Sequence, residues 1–144
     1  MTSPSQSFWQ TAYVLRSQAR QKRADAARVG AELIENAAEL PGDATQRLRD
    51  ILDNLDDPET ADKAQELSDS VREEWDRAMA QARETLGSNP SQEAIDLVFP
   101  RLLRFLDDWR KIRQIARDLD EARHLDIVAR SMLEMGDFAL DQGL

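Results

Sequence analysis

The stretch "LLRFLDDWRKIRQIARDLDEARH", residues 102–124, decides the fold class of this 144-residue chain. Its apolar residues recur every three or four positions, which is the period of one face of an α-helix. They are Leu102, Phe105, Leu106, Trp109, Ile112, Ile115, Ala116 and Leu119. Apart from Leu103, charged and amide side chains fill the positions between them, so the stretch predicts an amphipathic helix with one buried face. The pattern continues through Leu125, Val128, Met132 and Leu133, and Gly136 loosens its end.

Upstream of this stretch, the same period predicts a long first helix over residues 8–40. The sequence Ser7-Phe8-Trp9-Gln10 has the S-x-x-Q form of a capping box at the start of a helix. The predicted buried face consists of Phe8, Ala12, Leu15, Ala19, Ala26, Leu33, Ala37 and Leu40. A short second helix over residues 44–55 is expected after Asp43, a weaker cap that follows Pro41-Gly42.

Two prolines preceded by capping residues mark the later helices. Asp57-Pro58 predicts a third helix over residues 58–86, and Asn89-Pro90 predicts a fourth that starts at Pro90. Gly87 lies where a helix commonly ends with a residue at positive φ. Pro100 interrupts the fourth segment and predicts a kink or a restart there, because proline lacks the N–H group that an interior helical residue donates.

These segments predict an all-α fold: an antiparallel helical bundle of four to five helices, two or three of them long, with short connections that contain proline or glycine. The length fits one domain, which we place at residues 8–140, between a flexible N-terminus (1–7) and a frayed C-terminus (141–144). A single chain would not cover such long apolar stripes completely, so homo-oligomerisation by helix pairing is a secondary expectation.

Composition excludes most enzyme classes. The chain has no cysteine and one histidine, and it lacks the glycine-rich phosphate loops, nucleophile elbows and H-E-x-x-H motifs of common enzymes. We therefore predict a non-enzymatic protein with no catalytic residues and no cofactor. The start of the chain lacks the features of a signal peptide and its apolar runs are short, which predicts a cytoplasmic location and no membrane partner. Sixteen arginines against three lysines favour a bacterial or phage origin.

A stripe of aromatic and basic residues on the first helix is the main candidate contact surface. It consists of Trp9, Tyr13, Arg16, Arg20 and Arg23, which follow 4-3-4-3 spacing on one side of the apolar face. The three arginines have no acidic residue one turn away. Arginine binds phosphates and carboxylates, and all three residue types are enriched at the energetic centres of protein interfaces. The alternative is that the aromatics pack in the bundle and the arginines pair with acidic helices.

Two further charged faces are weaker candidates. Arg110, Arg113 and Arg117 lie within about 60° on one flank of the apolar face of residues 102–124. Residues 43–100 carry a net charge of −9, equal to that of the whole chain. Their acidic face consists of Asp62, Glu66, Asp69 and Glu73. The two faces either pair within the fold, remain solvated or bind partners.

Glu121-x-x-His124 has the spacing of a metal-chelating pair on a helix, since residues three apart share a face. One histidine is too few for a complete site, so this pair would serve as a metal-carboxylate centre only across a dimer. We expect no metal there, and we interpret His124 as a surface residue beside Asp120 or Glu121.

The sequence therefore favours a helical interaction protein: an adaptor, an inhibitor or a small subunit of a larger assembly with a protein partner. The first alternative is a small subunit that contacts a nucleic-acid backbone within a nucleoprotein complex, since the net charge of −9 opposes autonomous binding. The second alternative is an acidic inhibitor that mimics nucleic acid.

Overall fold

Four α-helices make up the described part of the chain. The computed structural model describes residues 2–36 and 40–144. The helices are α1 (Pro4–Asn36), α2 (Ala44–Asp53), α3 (Thr60–Leu86) and α4 (Gln92–Asp141), and no strand occurs in those ranges. The predicted all-α helical bundle is confirmed, with α1, α3 and α4 as its long members.

The long helix α4 is the element on which α1 and α3 assemble, and α2 packs against those two helices. Its 50 residues span about 75 Å at 1.5 Å per residue. Both α1 and α3 run antiparallel to it: Arg23 of α1 contacts Asp126, and Trp75 of α3 donates to the carbonyl of Leu102. Within the described ranges, α1 and α3 pack against α4 and α2 but not against each other. The bundle therefore contains all four helices at its middle and only two helices at each end.

The hydrophobic core lies at that middle, where all four helices meet. Its buried members are Ala26, Leu33, Ala44, Leu48, Ile51, Ala61, Ala64, Leu67, Val71, Trp109, Ile112, Ile115, Ala116 and Leu119. The indole Nε1 of Trp109 donates to the carbonyl of Ser68 at 3.1 Å, which satisfies its polar atom inside the core. The stretch that predicted the fold thus supplies five of the core residues.

Small residues repeat every seven positions along the seam between α1 and α4. On α1 the buried ones are Ser5, Ala12, Ala19 and Ala26, and on α4 they are Ala122, Ala129 and Gly136. Small side chains at this spacing let two antiparallel helices approach closely. At Gly136 the seam leaves no room for a larger side chain, because a Cβ atom built there would lie 2.5 Å from Nε1 of Trp9.

The first helix starts earlier than predicted. Ser3 and Gln6 form the capping box: the Ser3 hydroxyl accepts from the backbone N–H of Gln6, and the side-chain Oε1 of Gln6 accepts from the backbone N–H of Ser3, both at 3.2 Å. The predicted start at Phe8 is therefore four residues too late, and helix occupies part of the segment 1–7 that was expected to be flexible. The described part of α1 ends at Asn36, its predicted continuation over residues 37–39 lies outside the described residues, and Leu40, the predicted last residue, is not helical.

The end of α4 is closed by hydrogen bonds. Gly143 has a φ of 76°, its N–H donates to the carbonyl of Leu140, and the N–H of Leu144 donates to the carbonyl of Ala139. This pair of bonds is the Schellman motif, which satisfies the last carbonyls of a helix. The residues 141–144, expected to fray, thus have defined backbone partners.

The start of α4 and the effect of Pro100 both differ from the sequence prediction. Ser91, rather than Asn89, caps the helix, and its hydroxyl accepts from the N–H of Ala94 at 3.2 Å. Helix continues on both sides of Pro100, so the predicted restart is wrong. The side chain of Asp57 accepts from the N–H of Glu59 at 2.9 Å in the turn before α3, but the helix begins at Thr60 and its N-cap residue is Glu59, so the predicted start at Pro58 is two residues too early.

Candidate binding groove

The aromatic and basic stripe predicted on α1 is divided between the seam and the solvent. Trp9 is half-buried and packs over Gly136, as expected for a bundle residue. Arg23 has only 15 % of its side chain exposed and pairs with Asp126 of α4. Tyr13, by contrast, is 70 % exposed, and Arg16 and Arg20 are exposed as well. Packing and ion pairing within the bundle, the alternative interpretation, thus hold for Trp9 and Arg23, whereas Tyr13, Arg16 and Arg20 lie in solvent.

Arg16 and Arg23 line a groove that the sequence did not reveal. We call it the arginine groove, and its volume is about 390 Å³. The lining comprises Arg16 and Arg23 of α1, Asp56 and Pro58 of the connection between α2 and α3, and Arg123, Asp126, Ile127 and Arg130 of α4. Its ionised side chains sum to a charge of +2, on a chain whose net charge is −9.

Two of the four arginines, Arg23 and Arg123, are held by acidic neighbours. They lie at the end of the groove next to Pro58, which we call the inner end. Arg23 binds Asp126. Arg123 donates to Asp120 at 2.7 Å and Asp62 at 3.0 Å, and also contacts the carbonyl of Pro58 at 3.4 Å. The hydrogen bond to Asp120 and then the one to Asp62 raise the pKa of Arg123. These contacts fix the inner wall, and they use three hydrogen bonds of the Arg123 guanidinium and one of the Arg23 guanidinium.

The other two arginines, at the outer end, are unpaired. Arg16 and Arg130 make no ion pair and no side-chain hydrogen bond within residues 2–36 and 40–144. The antiparallel register that sets Trp9 against Gly136 brings Arg16 level with Ala129, one residue from Arg130. Two guanidinium groups with free donors therefore flank the outer end of one concave surface, an arrangement suited to bind an anionic group.

Exposed apolar side chains accompany these arginines. Ile127, which lines the groove, is 56 % exposed. Tyr13, one turn before Arg16 on α1, and its neighbour Val14 are 70 % and 51 % exposed. Polar and apolar contact atoms side by side are typical of surfaces that bind other proteins.

The sequence missed Arg123 and Arg130 because they lie more than 100 residues from Arg16 and have no motif of their own. One signal was present: Arg123 and Arg130 are seven residues apart, as are Arg16 and Arg23. In the antiparallel register, two pairs with the heptad spacing of the seam lie on the facing flanks of α1 and α4.

The second basic face does not converge into a site. Arg110 pairs locally with Asp107 at 3.8 Å, and the guanidinium of Arg113 lies 5.4 Å from the ring centre of Trp109. Arg117 is exposed and forms no ion pair in the described part of the chain. Arg72 of α3 stacks on the same indole at 4.9 Å. Cation–π contacts of this kind stabilise the bundle. They explain the position of Arg113 without a binding partner outside the chain.

The acidic face on α3 remains mostly in solvent. Asp62 is the member that reaches another helix, through Arg123. Asp69 accepts from Gln65 one turn away at 3.0 Å. Glu66 and Glu73 are exposed and form no ion pair within the described ranges. The pairing predicted between acidic and basic faces thus involves Arg123 rather than Arg110, Arg113 or Arg117.

The Glu121-x-x-His124 pair is not assembled as a chelate. The carboxylate of Glu121 lies 2.7 Å from Nζ of Lys22 on α1, and this hydrogen bond raises the pKa of Lys22. His124 is exposed. Among the described residues, no group of three or more histidine, cysteine, aspartate or glutamate side chains is arranged to hold a metal ion.

Asp118 is an ionisable residue that the sequence pattern did not single out. It is 6 % exposed on the seam between α4 and α1, and its Oδ1 accepts from Nε2 of Gln114 at 2.9 Å. Burial raises its pKa, whereas the hydrogen bond from Gln114 and the charge of Lys22 lower it. Burial dominates, so the ionised carboxylate is an unfavourable feature of this seam.

No family model, curated protein or solved structure matches this chain. Within the described residues, no helix combines the length and apolarity that crossing a membrane requires.

Proposed function

We propose that this chain is a non-enzymatic helical interaction protein whose contact surface is the arginine groove together with the exposed residues beside it. The observation that carries the proposal is the pair Arg16 and Arg130, two unpaired guanidinium groups that line one groove. Other exposed arginines, such as Arg117, also form no ion pair within the described residues, but Arg16 and Arg130 are set apart because both line the same groove.

The chemistry of the groove favours a protein partner. Arg, Tyr and apolar side chains combine at the energetic centres of protein interfaces, and Tyr13, Ile127 and the two arginines supply all three. The partner's acidic groups would pair with Arg16 and Arg130, and its apolar atoms would cover Ile127. Such a chain acts as an adaptor or a small subunit, because binding rather than bond chemistry is what these side chains provide.

Capture of partners from a lysate of the organism that carries the gene tests this proposal. The double variant Arg16→Gln/Arg130→Gln removes both unpaired charges, and Arg49→Gln/Arg83→Gln removes the same charge from exposed positions outside the groove. We expect wild type and the control to retain the same protein and the groove variant to lose it. Equal capture by all three would contradict the proposal.

A nucleic-acid partner is the second candidate, supported by the alignment of the exposed Arg16 and Arg20 along one side of α1, where Arg23, the third predicted member, is engaged by Asp126. Within a larger complex, such a line of arginines would follow a phosphate backbone. Fluorescence anisotropy with a labelled single-stranded oligonucleotide at 50 and 200 mM salt tests it in the isolated chain and in the captured complex. Absence of salt-dependent binding in both would exclude this candidate.

A further inference from the structure

We infer that the arginine groove binds an extended acidic segment of a protein, with one carboxylate between Arg16 and Arg130 and one apolar side chain against Ile127. This inference rests on the proposed function and specifies the chemistry of the partner. It follows from the distribution of charge, donors and apolar surface along the groove.

The outer end of the groove has capacity for one anionic group. Each guanidinium carries five N–H donors, and those of Arg16 and Arg130 have no acceptor in the described residues. Asp126, one turn before Arg130, is engaged by Arg23, and Glu134, one turn after it, forms no ion pair in the same part of the chain. A carboxylate placed between two guanidinium groups accepts charge-assisted hydrogen bonds from both.

The middle of the groove has an apolar surface to cover. Ile127 is 56 % exposed and lies three residues before Arg130, about 4.5 Å along the helix axis. An extended chain advances about 3.3 Å per residue, so an apolar side chain one or two positions from the acidic residue would reach Ile127. Pro58 lines the same groove and adds apolar surface to it.

The inner end opposes further negative charge. Asp126 neutralises Arg23, and Arg123 is already shared between Asp62 and Asp120. Asp56, which also lines the groove, would repel a second anion. A nucleic-acid backbone carries a phosphate at every step, whereas a peptide can present one carboxylate followed by apolar residues. The charge gradient along the groove therefore favours the peptide.

Titration of the full, ¹⁵N-labelled chain with short peptides tests this inference by NMR. The probe is a capped glycine-serine peptide with a central Glu-Val-Leu, and its controls replace Glu by Gln or Leu by Ser. We expect the Glu peptide to shift the amide signals of Arg16, Ile127 and Arg130. We expect the Gln peptide to bind at least fivefold more weakly, since hydrogen bonds to a charged acceptor are lost, and the Ser peptide also to bind more weakly.

Variants separate the groove from general charge. Arg16→Gln and Arg130→Gln each weaken binding of the Glu peptide at least fivefold, and Arg49→Gln leaves it unchanged. All three positions are exposed, so circular dichroism of the variants should match that of wild type. Equal binding of the Glu and Gln peptides, shifts elsewhere on the chain, or unchanged binding by the groove variants would each overturn the inference.

Competition assigns the class of ligand. Inorganic phosphate and an oligothymidylate are added to the complex with the Glu peptide. Weak competition by phosphate, at concentrations above that of the peptide, agrees with an anion site that also uses apolar contacts, whereas tighter binding of the oligothymidylate at the same residues overturns the peptide assignment. If no peptide shifts the groove signals while partner capture still depends on Arg16 and Arg130, this inference fails and the proposed function stands.

Discussion

Replacing Gly136 by alanine tests the close contact between α1 and α4. A glycine inside a helix costs roughly 0.5–1 kcal/mol relative to alanine, so the substitution would stabilise the chain if space were free. A Cβ atom at this position would lie 2.5 Å from Nε1 and 2.6 Å from Cδ1 of Trp9, and 3.2 Å from the carbonyl oxygen of Ser5. Ordinary carbon contacts are about 3.5–4.0 Å, so the indole must move by about 1 Å.

Movement of the indole alone does not relieve the crowding. The Ser5 oxygen belongs to the backbone of α1, so the helix itself must also shift slightly. Overpacking of this kind costs about 1–3 kcal/mol. The gain in helix propensity offsets part of this cost. We therefore expect Gly136→Ala to lower the free energy of unfolding by about 1 kcal/mol.

Gly30→Ala is the matched control. Its new Cβ would lie 2.6 Å from a methyl carbon of Leu52, which ends a flexible side chain and can turn away. We expect this variant to match wild type or to exceed it by less than about 1 kcal/mol. Urea denaturation at 25 °C, followed by circular dichroism, measures both variants. If Gly136→Ala stabilised the chain as much as Gly30→Ala, the reasoning about the seam would be refuted.

Two further substitutions test other features. Because burial raises the pKa of Asp118, the folded chain holds that proton more tightly than the unfolded chain, and this group lowers stability as pH rises above about 4. We expect Asp118→Asn to raise the Tm at pH 7 and to have little effect at pH 3; an equal effect at both would contradict this. Pro100→Ala restores the N–H donor to the carbonyl of Asp96, and we expect up to about 3 kcal/mol of stabilisation in urea denaturation. A loss of stability would argue against an unbroken α4.

The buried faces could be predicted from the sequence because helical period and burial are directly linked. Ala12, Ala19, Ala26 and Leu33 were expected on one face of the first helix and are all buried. A period identifies which residues share a face, and the hydrophobic effect requires that an apolar face be covered.

Helix ends were less predictable, because neighbouring residues offer equivalent caps. Both Ser3-x-x-Gln6 and Ser7-x-x-Gln10 have the form of a capping box. Pro4 favours the earlier one, since proline suits the first helical position. Helix continues through Pro100, and just beyond it the carbonyl of Leu102 accepts a hydrogen bond from Trp75 of α3, a contact between helices that the local sequence does not contain.

The candidate site was only half predictable. Arg16 and Arg23 stood out because no acidic residue lies one turn away on their own helix. Their position in a groove depends on the register between α1 and α4, which close packing at Gly136 and the pair Arg23–Asp126 specify. A single sequence gives the residues on each face, but it does not give the alignment of one face with another.

The unbroken α4 also fixes a length. Leu97 and Arg130 are separated by about 50 Å along a single hydrogen-bonded rod. Leu97, near the start of the rod, is 70 % exposed, and its neighbour Phe99 is 55 % exposed. A molecule held in the arginine groove would therefore be kept about five nanometres from anything that touches this apolar tip. Because the core residues Trp109 to Leu119 lie between these two points, the packing of α4 against α1 and α3 holds this distance fixed.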